Sequence, residues 1–599
     1  MAAVAGEYKD ASSAPARLGG ARLLIWCMVG VAVLAAAFFF LQPTRLSASL
    51  GDTDDAMRLI EVRELIDGRS WFDNTLPRFG GAEPLQSHWS RLIDLPLAAL
   101  LTAFDLMMPE AGAELAVRIV WPLTLLLAFL YLLGRETDIR GGAWAALLAI
   151  ALAVTCITDI VQFVPGRIDH HNAMILCATI GILRLARSLD DPEAGWSAGI
   201  FLGLGVAIGY ESLALTVASI GASALFALLP GRSLLGPSRA AVTFAAAPAI
   251  ALAMTTAPDN FFVEHCDSLS MNLVMLVAIA AAGVCAVQAF EDRLSLVAKL
   301  ALLAATAGVG LLVYGWAEPA CLAGPFGQVD RALFPLWLDR VLETQSLFSA
   351  GRDARLLAVT ASLYFIIGVY GGVKLIRRER GDTVRFDLLI LIVAILLSCW
   401  QVKLLPYATT LAVPLVAVWL TRPSEAPDPR PLDRRTVAVI AAGVLLVVGT
   451  AAWLTFTGEA PKGRAETALK KTQDCAASAA IRPLADLPAG LAVADVNLGP
   501  YLVALTRLDA LSAPYHRLGP AIMAAHRILH APPDEAEAQL REAGARYVIA
   551  CPGLDSTRPK GGSAPDALLS LLLADKPPPY LAPVALSGST PLRVWRVVE

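Results

Sequence analysis

The chain has 599 residues, of which 56% are hydrophobic and 17% charged, with a formal net charge of −4 and a mean hydropathy of +0.60. That balance excludes an ordinary soluble protein, because many of its apolar runs reach the ~20 residues needed to cross a bilayer. No basic stripe with interleaved aromatics is present, which removes nucleic acid as a partner.

The first apolar run, Leu23–Leu41, follows Lys9, Arg17 and Arg22. It is longer than a signal-peptide core and lacks a small-residue cut site, so it reads as an uncleaved span with the N-terminus inside. Further spans are expected at 113–134, 143–161, 173–187, 196–210, 213–229, 238–256, 271–290, 296–314, 355–376, 387–402, 404–421 and 436–456. With the first run that makes thirteen. Basic residues concentrate in alternate short connections, among them Arg135 and Arg140, Arg184 and Arg187, Arg293, and Arg377, Arg378 and Arg380. These connections are assigned to the cytoplasm, in a bacterial inner membrane. The expected fold is a polytopic α-helical membrane protein with a C-terminal extracytoplasmic α/β domain. Its divisions are a cytoplasmic tail (1–22), a membrane domain (23–456) and a periplasmic domain (457–599).

Two long outer segments, 42–112 and 315–354, interrupt the spans. In GDTDDAMRLIEVRELIDG, residues Met57, Ile60, Leu65 and Ile66 can form an apolar stripe on a short helix. The semi-apolar stretch 94–108 is short and charged, and is expected at the membrane interface. In the tail, LAVADVNLGPYLVALT predicts a strand, a turn and a helix, APPDEAEAQLREAG a helix closed by Gly544, and ARYVIACPG and PLRVWRVVE strands. TRPSEAPDPRPLDRR reads as a Pro-rich linker. The nine cysteines contain no CxxC pair. Cys27, Cys156, Cys177, Cys285 and Cys399 fall in or beside spans. Cys475 and Cys551 fall outside, where a disulfide is permitted but not required.

Chemistry-bearing residues gather on the outer side, where all seven histidines fall. Between two spans lies Gln162-Phe-Val-Pro-Gly-Arg-Ile-Asp-His-His-Asn172. Polar groups at that depth are costly if they face lipid, so Arg167, Asp169, His170, His171 and Asn172 are expected on an aqueous rim. The Asp-x-His spacing suits one metal ion or an acid/base pair; the alternative is a hydrophilic turn with Asp169 as a helix N-cap. Asp52, Asp54 and Asp55 open the first outer segment. They can hold a divalent cation, supply a general base, or cap the helix that follows. Glu343 is a further ligand candidate, or lies on a solvated helix face. Arg352, Arg355 and Lys403, near outer span ends, suit a phosphate substrate or anchor lipid headgroups. Glu211, in GYESL, is a lesser candidate.

Several passages together resemble the membrane-embedded C-type glycosyltransferases, which use polyprenyl-phosphate-linked sugars. The likeness is strongest to the catalytic subunit of oligosaccharyltransferase and its bacterial relatives. TDDAMRLIEVREL is similar to the family's first-loop passage, with Asp55 (or Asp54) at its acidic position. WFDNTLPRFGG is similar to the aromatic and glycine-rich continuation, and FVPGRIDHHNAMI to the second-loop motif. There Asp169 matches, and His171 stands where the family has glutamate. RVLETQSLF is similar to a later-loop motif, giving Glu343, and VADVNLGPYLVALTRLDALSAPYHR resembles the family's outer domain. The resemblance implies thirteen spans, an outer C-terminal domain, and transfer of a sugar or oligosaccharide from a polyprenyl phosphate or diphosphate to an extracytoplasmic protein or glycan. On it, Asp54, Asp55, Asp169 and Glu343 are the expected catalytic residues. Asp55, Asp169, His171 and Glu343 would hold a divalent cation (Mn or Mg), while Arg352, Lys403, His516 and Arg517 would bind substrate. A metal-free variant would leave Asp55 as the base.

The family's paired tail tryptophans are missing, since Trp595 is the only tryptophan in 457–599. Glycosylation of Asn-x-Ser/Thr sequons is therefore not expected. A transporter or flippase of lipid-linked glycans is the rival reading, and a surface-polysaccharide ligase or polymerase differs only in acceptor. A transporter would carry internal repeats and mid-membrane charges. Here the charges sit at the rim and no repeat is seen.

Overall fold

The structure, a computed structural model, describes residues 16–349, 352–379, 381–422 and 474–598. The expected span at 436–456 and nearly all of the Pro-rich linker lie outside the described residues. Eight helices among those described are long and apolar enough to cross a membrane. They include α1 (Gly20–Leu41) and α4 (Glu110–Gly141), which flank in sequence two further helices, α2 (Thr53–Ile66) and α3 (Arg91–Asp105). Three expected spans, α5 (Ala143–Thr155), α7 (Ala194–Ile208) and α8 (Leu213–Ala227), form shorter apolar helices. Between them, α6 (His171–Arg187) is buried along nearly its whole length. The remaining long helices are α9 (Leu235–Thr255), α10 (Met271–Ala289), α11 (Leu296–Ala317), α12 (Arg352–Glu379), α13 (Asp382–Trp400) and α14 (Leu405–Thr421). The chain is thus a multi-pass membrane protein with a C-terminal sheet.

Helix α14 is buried almost throughout from Leu405 to Val418 and packs into one apolar core with α1, α4, α5, α6, α12 and α13. At one end of this bundle the buried Glu136 carboxylate accepts hydrogen bonds from Arg140, Arg184 and Arg187 at 3.1, 3.2 and 2.8 Å. Because α6 runs from His171 to Arg187, this arginine cluster and the Asp-x-His motif occupy opposite ends.

Helix α2 begins where expected, but its burial departs from the apolar-stripe reading. Asp52 is its N-cap and accepts the Asp54 and Asp55 amides, while the Asp55 side chain accepts the Asp52 amide, a reciprocal capping box. Every residue from Asp55 to Val62 is buried, and Ile66 is exposed. A lone buried charge is costly, so burial of Arg58 requires partners. It pairs with Glu61 at 2.9 Å and with Asp94 of α3, and Arg91 adds a 3.0 Å contact to Asp94. Leu95 and Leu106, in contrast, point outward.

The C-terminal sheet has strand order β4-β3-β5-β7-β6. Strands β4 (Leu508–Ala510), β3 (Gly490–Val493) and β5 (Ala545–Ala550) are parallel, and β7 (Arg593–Val597) and β6 (Leu581–Pro583) antiparallel to their neighbours. Parallel neighbours need crossover connections. These are α15 (Gly499–Leu505) between β3 and β4, then α16 (Gly519–His530) and α17 (Pro533–Glu542) between β4 and β5. The elements match the tail reading, including Gly544 with φ +66° after α17. A small hairpin of the first outer segment, β1 (Thr75–Leu76) and β2 (Leu85–Gln86), docks beside β4. There Ala510 receives the Gly80 amide at 3.1 Å and donates to Arg78 O at 2.9 Å. Gly80 has φ +88°, and a Cβ on it would meet Glu83 O at 2.1 Å, so only glycine fits this turn. Apolar residues of α2, the hairpin, α15 and the sheet share one core.

Two disulfides are formed. Cys475–Cys551 is the pair left open by the sequence, and Cys266–Cys321 was not anticipated. The second ties the α9–α10 connection to the segment that carries Glu343.

Candidate active site

The bundle end opposite the arginine cluster holds a cavity of about 630 Å³. Its wall is built from the first outer segment, the α7–α8 turn, the α9–α10 connection, the Glu343 segment and the loop after β4. Asp54, His171, Glu343, Lys403, His516 and Arg517 all line it. Asp55 and Asp169 are wholly buried, and Arg352 lies outside the residues whose side chains the structure describes.

Two overlapping carboxylate sets meet at Asp169. In the first, ligand atoms of Asp54, Asp169 and His171 all lie within 4.8 Å of one another. His171 Nδ1 sits 2.9 Å from Glu211 Oε1, which fixes the ring, while its Nε2 turns to Asp169 at 3.9 Å. A carboxylate holding one imidazole nitrogen while the other faces a ligand position is the usual support of a metal-binding histidine. Burial alone would raise the Glu211 carboxyl, but the His171 imidazole holds it down to about 2. Burial pushes Asp54 well above the usual carboxylate range, and the charges of Asp52, Glu343 and Asp169 push the same way.

The second set is Asp52, Asp55 and Asp169. Arg167 stands among them. Its Nη1 donates to Asp52 and, at 3.0 Å, to Asp55, and its Nη2 donates to Asp169 and, at 2.8 Å, to Gln162. The other Asp55 oxygen accepts the amides of Ile168 and Asp169 at 2.8 and 3.3 Å. Asp169 Oδ1 accepts the His171 amide at 2.9 Å, but the N-cap of α6 is His170, so Asp169 stands one residue before the cap and is not the N-cap expected from the sequence. The oxygens of Asp55 are thus engaged by protein donors, whereas Asp54 faces the cavity.

Sequence reasoning missed how much of the wall the C-terminal region supplies. Tyr515 donates to Thr53 O at 3.0 Å and touches Asp54 Oδ1 at 3.3 Å. Arg517 grips Asp267 through Nε and Nη2 at 2.7 and 2.5 Å, and His516 Nε2 lies 2.6 Å from the same carboxylate. Trp89 packs against His170 and Tyr515, with the Arg58 guanidinium 4.5 Å from its ring centre. The Pro-Tyr-His-Arg passage pointed to His516 and Arg517. Nothing local marked Asp267, 250 positions away from Arg517.

No family model and no curated protein matches this sequence. Solved structures do resemble it. The oligosaccharyltransferase AglB of Archaeoglobus fulgidus, in complex with an inhibitory peptide and a dolichol-phosphate, superposes with a TM-score of 0.64 at 15% identity, over 88% of this chain and 69% of that one. The same organism's enzyme in complex with Zn and sulfate gives 0.59 at 14% identity, over 88% and 68%. Its form tethered to an acceptor peptide containing the NVT sequon gives 0.59 at 14% identity, over 96% and 74%. The chain therefore has the C-type glycosyltransferase fold, similar to that of oligosaccharyltransferase.

Proposed function

We propose that the chain is a membrane glycosyltransferase that moves a sugar or oligosaccharide from a polyprenyl phosphate or diphosphate to an acceptor outside the cytoplasm. The observation that carries this reading is the convergence of Asp54, His171, Glu343 and Lys403 on one cavity, from four segments far apart in sequence, with Asp169 buried against the first two. The neighbouring fold's complexes with a dolichol-phosphate and an acceptor peptide support it. The orientation follows from the arginines gathered at the end away from the site, which assigns that end to the cytoplasm and the C-terminal sheet to the periplasm. The membrane lipid surrounds the bundle, and 457–599 is read as a periplasmic α/β domain whose sheet packs on the first outer segment.

Asp54, Asp169 and His171 fit a divalent cation, with Glu343 and Glu211 on the same cavity wall and Glu211 on the Nδ1 side of His171. The set is mixed oxygen and nitrogen, carries excess negative charge, and keeps an open side toward the cavity. When bound, such an ion supplies Lewis-acid stabilisation of charge on the donor phosphate. The other groups act as follows. Lys403 faces the cavity and offers an ammonium to phosphate oxygens. Asp54 and Glu343 are the carboxylates on the cavity wall, and Glu343, which is not one of the three groups assigned to the ion, is suited to take a proton from the acceptor. Asp55 has its oxygens occupied and positions the Ile168–Asp169 backbone. Tyr515, His516 and Arg517 bring the C-terminal region against the site, where it meets the acceptor. The missing tryptophan pair separates this acceptor from a sequon peptide.

The test is transfer from an endogenous lipid-linked glycan in membranes treated with a chelator. The reading expects turnover to stop and to return on adding Mn2+ or Mg2+. Turnover that continues undiminished removes the cation, and export of glycan with no transfer at all would favour the flippase.

A further inference from the structure

The two overlapping acidic sets share Asp169 but differ in what lies between their oxygens. Within Asp52, Asp55 and Asp169 the space is taken by the Arg167 guanidinium, which reaches all three carboxylates and Gln162. Its side chain is 12% exposed, and those of Asp55 and Asp169 are 0% exposed. Within Asp54, Asp169 and His171 the guanidinium reaches only Asp169, through Oδ2. Tyr515 touches Asp54, and Glu211 holds the Nδ1 side of His171.

We infer that Arg167 is a resident cation that fills one of two adjoining acidic corners and so restricts the site to a single divalent ion, on the Asp54–Asp169–His171 side. The inference rests on the functional reading above only for the existence of that ion. Three carboxylates within 4.8 Å repel one another strongly when buried. A fixed guanidinium neutralises part of that charge and, being planar, addresses two oxygens with each arm. It also aligns Asp169, whose Oδ2 it holds while Oδ1 is tied to the His171 amide. Arg167 is therefore a positioning residue. It acts through Asp55 and Asp169 and does not touch substrate. Its place two residues before Asp169 follows from the local chain: Gly166, at φ +106°, turns the backbone so that Arg167 and Asp169 face the same corner.

The experiment is the Mn2+ stoichiometry of the purified full chain in detergent, measured by elemental analysis and by electron paramagnetic resonance. Wild type is expected to bind one ion per chain and Arg167→Lys also one. Arg167→Met, purified in Mn2+, is expected to bind two. The double variant Arg167→Met/Asp55→Asn, which removes the uncompensated carboxylate as well, is expected to return to one. Two ions in wild type, none in wild type, or a single ion in a folded Arg167→Met would overturn the inference. So would an Arg167→Met chain that folds neither with nor without Mn2+, because an ion should then take the place of the guanidinium. None of these readouts depends on transfer, so the glycosyltransferase reading stands or falls separately.

Discussion

Tyr515, in the loop after β4, reaches Asp54 at the start of α2 with 3.3 Å between its hydroxyl and the carboxylate, across 461 positions of sequence. The same hydroxyl donates to Thr53 O at 3.0 Å. The C-terminal region is thus part of the wall of the site, which its Tyr-His-Arg passage lines.

Tyr515→Phe keeps the ring against Trp89 and removes only the hydroxyl. A single hydrogen bond of this kind contributes about 1 kcal/mol, so transfer should fall by about fivefold with the fold retained. Rates in reconstituted membranes, read beside thermal unfolding, check this. A rate equal to wild type would mean that Asp54 is oriented without the C-terminal region.

Glu211 holds His171 Nδ1 from its own place on the cavity wall. Removing a carboxylate behind a metal-binding histidine typically weakens metal binding by about 10–100-fold. Glu211→Gln should therefore raise the Mn2+ concentration that restores half of the chelated activity by that factor, leaving the saturated rate closer to normal. An unchanged Mn2+ requirement would show that His171 is not a ligand.

The C-terminal region carries a pH dependence of its own. Burial lowers His526 from 6.5 to about 4, and the neighbouring His530 adds to the shift. The unfolded chain binds this proton below about 6.5 and the folded one only near 4, so stability is full above that window and declines as pH falls through it. Thermal unfolding of the full chain between pH 7.5 and 4 should show this decline, and His526→Gln should flatten it. An equal slope in both proteins would assign the acid sensitivity elsewhere.

The membrane helices and the tail strands were legible because their signals are local: apolar runs of bilayer length, and alternation punctuated by Gly544 and the Gly-Pro turns. The acidic and histidine motifs were legible as candidates for the same reason. Their division of labour was not. Asp54 and Asp55 are adjacent in sequence, yet one faces the cavity and the other is held by Arg167 and two amides from a loop more than 100 residues away. Helix direction alone cannot decide which of two neighbours a distant loop will cover. The burial of Arg58 and Glu61 was hidden likewise, because the partner that makes it tolerable, Asp94, lies on another helix. Asp267 shows no signal of its own until Cys266 beside it is seen bonded to Cys321.

The central claim is that Asp169 stands where the transfer occurs. The direct measurement is mass spectrometry of surface glycans and glycoproteins from a strain lacking this chain, complemented with wild type or with Asp169→Asn. The account predicts that wild type restores a glycan product, whereas Asp169→Asn, present in the membrane at equal level, leaves the lipid-linked precursor unused. Full restoration of the product by Asp169→Asn would contradict it.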